Sequence, residues 1–134
     1  MNTVSIGTDI VECLRIAQMI DQHGEAFLRR VYTPAEIEHC SARAMASQHY
    51  AARWAAKKAV LQALGVRMRS GMSWKDIEVQ SEKDGKATIG LAGVLRDVSV
   101  AKRISEIHVS LSSCRTMAVA FVILQRDDDS QFDI

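Results

Sequence analysis

Three cysteines, Cys13, Cys40 and Cys114, are an odd number with no CxxC among them, so the chain has no disulfide framework. The four histidines do not complete a zinc pattern with them. His39 beside Cys40, with His49 further on, offers at most partial ligands, and solvated helix residues are the better reading because no second ligand pair completes the set. Charge of one sign is also missing: 17 Lys+Arg against 16 Asp+Glu leaves +1. That excludes a basic nucleic-acid coat, and any phosphate chemistry must come from a local cluster. The apolar run from Met117 to Leu124 is too short to cross a bilayer and reads as a buried strand. Asp9 and Glu12 interrupt the N-terminal apolar residues early, which does not suit a signal peptide. There is no internal repeat or low-complexity linker. With 48% hydrophobic and 25% charged residues, 134 positions suffice for one domain that buries roughly two-thirds of its unfolded surface. The expectation is a reduced, cytoplasmic protein with no nucleic-acid or membrane partner.

The residue pattern predicts an α+β order. Val4 to Val11 reads as a strand ending near Asp9, and Glu12 to Gln22 as a helix stopped by Gly24. Ala26 to Val31 adds one or two helical turns. Thr33-Pro34-Ala35-Glu36 carries a capping box with the sole proline at the first helical position, starting a helix to about Ser41. Ala44 to Leu64 is a long alanine-rich helix, followed by a basic loop from Gly65 to Gly71. Ile77 to Val79 and Ala87 to Ile89 pair through the turn Lys83-Asp84-Gly85-Lys86. Leu91 to Arg103 suits a helix. Ile107 to Leu111 and Met117 to Leu124 suit strands joined by a turn at Ser112-Ser113-Cys114-Arg115. The single domain spans 1–126, and the acidic stretch 127–134 reads as a disordered tail.

Three places can carry chemistry. On the long helix, Arg53 and Lys57 lie four apart on one face, where like charges repel unless an anion sits between them. Their other reading is a solvated basic stripe. The loop Gly65-Val66-Arg67-Met68-Arg69 could line a phosphate site, although it lacks the Gly-Lys-Ser/Thr ending of a Walker A loop. Asp9 can hold a divalent cation or cap the next helix, whereas Glu12 suits the positive end of the helix dipole. Ser110, Ser112 and Ser113 can bond their own turn or hold phosphate oxygens. Cys114 lacks a base partner and is not proposed as a nucleophile. Trp54 and Trp74 read as core or interface anchors.

Gly7-Thr8-Asp9-Ile10-Val11-Glu12, Phe27-Leu28 with Arg30-Val31-Tyr32-Thr33 and Glu36, Ala51-Ala52-Arg53-Trp54-Ala55-Ala56-Lys57 with Ala63-Leu64-Gly65, Ser73 to Val79, and His108 to Ser112 form five ordered blocks. Together they resemble the holo-acyl-carrier-protein synthase family, the small phosphopantetheinyl transferases, over almost the whole chain to Leu124. The resemblance implies a long helix packed on a small antiparallel sheet, assembled as a homotrimer with sites between neighbours. It implies transfer of 4′-phosphopantetheine from coenzyme A to a serine of an acyl carrier protein, in fatty acid biosynthesis. It also implies a magnesium ion held at Asp9 and at a glutamate on the signature helix. Nucleotide phosphates would lie near Arg53 and Lys57, and Gly65, Arg67, Arg69, Ser112 and Ser113 are the further phosphate-binding candidates that the residues themselves offer. Arg15 and Met19 would meet the carrier protein.

The chain departs from that pattern at three positions: Lys58 replaces the helix glutamate, Gln62 a following lysine, and Ser113 a histidine. A protonated lysine cannot ligate magnesium. Two readings of Lys58 stay open. Its ammonium pairs with Asp9 and neutralises the diphosphate directly, giving an impaired or metal-independent transferase that uses Asp9, Lys57 and Lys58. Alternatively, the same salt bridge closes a pocket that no longer turns over, leaving a non-catalytic paralogue that binds coenzyme A or a carrier protein.

Overall fold

A computed structural model of the chain describes residues 2–82 and 84–127. Its order is β1 (Asn2–Glu12), α1 (Cys13–His23), α2 (Glu25–Val31), α3 (Pro34–Ser41), α4 (Ala46–Leu64), a 3₁₀ turn at Trp74–Asp76, β2 (Ile77–Ser81), β3 (Ala87–Leu91), α5 (Gly93–Ala101), β4 (Glu106–Ser113) and β5 (Met117–Arg126). The α+β class holds, but the strands make two sheets rather than one. β5 runs between β1 and β4, antiparallel to both, while β2 and β3 form a separate antiparallel hairpin.

β5 takes the central place because alternate residues serve two faces. Ala118, Ala120, Val122 and Leu124 are buried toward α4, and the two alanines leave room for its backbone. α4 answers with Ala51, Ala55, Ala56 and Ala59, each fully buried. Gly7 completes this close contact. A Cβ at that position would overlap the Ala59 carbonyl oxygen and come within 3.0 Å of the Ala63 nitrogen. Only glycine lets β1 lie flat against α4, and that seating brings Asp9 beside the helix. On the opposite sheet face, Ile6 pairs with Ile123, Thr8 with Phe121 and Ile10 with Val119. Ile6, Ile10 and Phe121 stand 58%, 61% and 51% exposed there.

Capping fixes the helix limits. Thr33 and Glu36 form the expected reciprocal box with Pro34 in the first turn, and α4 ends on Gly65 in the left-handed conformation, φ 73°. Among the boundaries that differ from expectation, four have a clear physical setting. β1 does not end near Asp9 but runs to Glu12, because its pairing with β5 continues through Glu12 opposite Met117. α4 starts at Ala46 rather than Ala44, after a turn. α5 starts at Gly93 because Leu91 still pairs with Ile77 in the hairpin. Ser112 and Ser113 belong to β4, opposite Val119 and Ala118, so the turn begins only at Cys114. Lys83 of the hairpin turn, and all of the acidic stretch after Asp127, lie outside the described residues.

Candidate functional site

α4 presents different chemistry on different sides. Lys57 points inward: it and Glu36 are 0% exposed, with Lys57 Nζ 2.8 Å from Glu36 Oε1. Nζ also donates to the carbonyls of Trp74 (3.0 Å) and Ile77 (2.6 Å), so three acceptors use its three donors. Glu36 is equally occupied, accepting from the backbone N–H of Thr33 at Oε1 and of Val79 at Oε2. Burial pulls the Lys57 pKa down, and the adjacent Glu36 carboxylate opposes that shift. The expectation of Lys57 as a catalytic or phosphate-binding cation is therefore corrected. It ties α4 to α3 and β2, and does not share an anion with Arg53.

Arg53 lines a cavity of about 590 Å³ between α4, the β2–β3 hairpin and β4. Its side chain is almost fully buried, yet it is poorly paired. Nη2 donates to Ser81 Oγ at 2.6 Å and Nη1 reaches the His49 carbonyl at 3.5 Å, while Nε has no partner among the described residues. His39, Arg43, His49, Glu82 and Lys86 complete a polar wall, cationic on balance, that faces Ser112 and Ser113 on β4. Burial, then Arg53 and Arg43, lower the His39 pKa to about 4; the same causes lower that of His49. Both shifts disfavour the imidazolium forms, so the wall's positive charge rests on Arg53, Arg43 and Lys86, with the Glu82 carboxylate lining the same cavity. A buried guanidinium with an unused donor is built for an anion with several acceptor oxygens. Arg43, Ser81 and Lys86 are not marked as site residues by the sequence, and His39 and His49 read there only as partial metal ligands. The four-residue spacing of His49 and Arg53 was the one legible sign of this face.

Cys40 is buried in the core, against the expectation of a solvated helix residue, and the His39 and His49 rings pack edge to face at 6.1 Å. Among the described residues no three His, Cys, Asp or Glu side chains are grouped to hold a metal.

Lys58 lies on a different side of α4. Five residues separate it from Arg53, which turns it about 140° around the helix axis. Its Nζ stands 3.5 Å from Asp9 Oδ2 and 5.9 Å from the Trp54 ring. Asp9 Oδ2 is buried and accepts no hydrogen bond. Gln62, one turn after Lys58, accepts the Thr8 backbone N–H at 2.7 Å and clamps β1 to the helix beside Asp9. Lys58 also lines a groove of about 300 Å³ with Glu12, Arg15, Met19, Phe27 and Trp54. Trp54 packs on Trp74 at 4.5 Å, as an anchor should. The predicted carrier-contact residues, Arg15 and Met19, therefore adjoin Lys58. Gly65, Arg67 and Arg69 line neither the Arg53 cavity nor this groove; the loop stays exposed beyond the end of α4.

The residues around Asp9 do not fit a magnesium ion. Its one unsatisfied oxygen already faces an ammonium. Like unit charges about 4 Å apart repel by about 4 kcal/mol at an effective dielectric near 20, before salt screening, and a dication doubles this.

Comparison with known proteins bears on these clusters. The sequence profile of the 4′-phosphopantetheinyl transferase superfamily matches residues 5–122. The holo-[acyl-carrier-protein] synthase of Rhodopirellula baltica is 51% identical over 124 residues, covering 92% of this chain and 98% of that protein. The crystal structure of the Neisseria meningitidis holo-[acyl-carrier-protein] synthase superposes with a TM-score of 0.82 at 30% identity, covering 91% of this chain and 98% of that one. The Helicobacter pylori synthase, solved in complex with coenzyme A, superposes with a TM-score of 0.78 at 28% identity, covering 90% and 99%.

Proposed function

Because the chain belongs to the 4′-phosphopantetheinyl transferase superfamily, we propose that it is a holo-acyl-carrier-protein synthase, moving 4′-phosphopantetheine from coenzyme A to a carrier-protein serine. The serine oxygen forms a bond to the phosphorus bearing the pantetheine arm. The bond from that phosphorus to the bridging oxygen breaks, and 3′,5′-ADP leaves with the electron pair. The hydroxyl proton is lost to the surroundings of the site. One observation carries this reading: the cationic cavity around Arg53, whose buried guanidinium keeps an unused donor for nucleotide phosphate oxygens. Ser112 and Ser113 add hydroxyls on the same wall.

The reading places the protein in the cytoplasm, in fatty acid biosynthesis, as a homotrimer. Two features support the assembly. Arg53 and Lys58 diverge around α4, so one subunit's cavity and its own Lys58 groove share no lining residue. The sheet face around Ile6, Ile10 and Phe121 is apolar and uncovered, as an interface would require. In that assembly each reaction centre would combine one subunit's Asp9–Lys58 pair with a neighbour's Arg53 cavity. Arg15 and Met19 then stand beside the pair to receive the acidic carrier protein.

The test is incubation of the full chain with coenzyme A and several apo carrier proteins, read by intact mass. The expected result is the phosphopantetheine mass gain on at least one carrier, abolished in Arg53→Ala. No gain on any carrier, with or without magnesium, removes this function.

A further inference from the structure

We propose that Lys58 supplies, as part of the polypeptide, the positive charge that a divalent cation would otherwise bring to the donor diphosphate, and that the Asp9–Lys58 pair binds no metal of its own. The inference rests on the reading of the chain as a transferase that uses coenzyme A.

The geometry supports it from both sides of the pair. Asp9 Oδ2 is buried without a hydrogen bond, and a carboxylate oxygen so placed needs a positive neighbour. Lys58 Nζ provides it at 3.5 Å. The balance of charge is conserved: one carboxylate with one ammonium sums to zero, as two carboxylates with one dication do. A metal entering here would compete with the ammonium for the same oxygen.

Lys58 is also available in a way that its neighbour is not. Lys57 is buried with every donor used, whereas the Lys58 side chain is 43% exposed at the rim of its groove. Its amine rests between Asp9 and the Trp54 face, with no hydrogen bond occupying its donors among the described residues, so they remain free for phosphate oxygens. Gln62 makes the arrangement coherent. It serves as an acceptor for the Thr8 N–H, a role no lysine can fill, and so holds the strand bearing Asp9 against the helix bearing Lys58.

The experiment measures coenzyme A binding by calorimetry on the full chain, once in excess EDTA and once in magnesium. Manganese binding to the protein alone is followed in parallel by electron paramagnetic resonance. The expected result is the same affinity in both buffers, within twofold, and free manganese throughout. Lys58→Met should bind coenzyme A at least tenfold more weakly in either buffer. Lys58→Glu should lose affinity in EDTA, regain it in magnesium, and bind manganese. Coenzyme A affinity in the unsubstituted protein that rises tenfold with magnesium, stoichiometric manganese binding to it, or unchanged affinity in Lys58→Met each overturns the inference and leaves the transferase reading standing. No coenzyme A binding in either buffer overturns the transferase reading itself. The arms on the unsubstituted protein decide the matter even where a variant fails to fold.

Discussion

Replacing Lys57 by methionine keeps the stem that fills the space beneath Tyr32 and removes only the ammonium, which lies 5.6 Å from that ring. The Glu36 carboxylate would be left with its charge buried, and the carbonyls of Trp74 and Ile77 would lose their donor. Breaking one side of a buried ion pair costs about 3–5 kcal/mol, most of it the uncompensated charge left behind. For a domain of this size each kcal/mol moves Tm by roughly 3–6 °C, so the expected drop is about 10–30 °C. Urea unfolding followed by circular dichroism should show a lower midpoint at unchanged slope. Adding Glu36→Gln removes the stranded charge while leaving one oxygen to accept from Thr33 or Val79, and should recover about half of the loss. Coenzyme A affinity, measured on folded protein, should stay within twofold in both variants. Stability within about 1 kcal/mol of the parent, or a tenfold loss of affinity at intact stability, would refute the assignment of Lys57 to the framework.

Three further outcomes follow from the same geometry. Gly7→Ala should cost about 3 kcal/mol or more, because the added carbon meets the backbone of α4 and no flexible side chain can give way; a melting point within a few degrees of the parent would contradict this. Acid should destabilise the protein through His39, whose pKa is about 4 when folded and 6.5 in its ordinary state. Between those values the unfolded chain takes up a proton that the folded chain refuses, so stability is full above pH 6.5 and drains as pH falls toward 4. The slope of urea midpoint against pH should flatten in His39→Gln, and an unchanged slope would exclude His39 as a source. Phe121→Glu places a charge on the uncovered sheet face and should shift the mass measured by light scattering to that of one chain; an unaltered trimer would exclude that face as the contact.

Much of the framework was readable because it depends on local rules. The Thr33–Pro34–Glu36 start, the Gly65 stop and the alanine spacing of α4 are short-range signals, and each stands where expected. The strand ends were less legible, since β1 continues past Asp9 only because β5 lies alongside it. The site divides in the same way. Asp9 and Lys58 meet as the residue types suggested, and Arg53 faces Ser112 and Ser113. Lys57 was misread because its partners come from positions 36, 74 and 77, and nothing local to α4 shows that they converge. Arg43 and Lys86 escaped, and His39 read only as a partial metal ligand, for a similar reason: their wall is assembled from α3, the turn after it and the hairpin, segments far apart along the chain.

The divergence of Arg53 and Lys58 around α4 determines how damage combines in a mixed assembly. If each reaction centre takes one cluster from either side of a subunit boundary, a chain lacking Arg53 and a chain lacking Lys58 are each inert alone. Blended in one ring of three, they restore a boundary where both intact halves face each other. Two dead proteins would then complement in a test tube, at up to one working centre per ring.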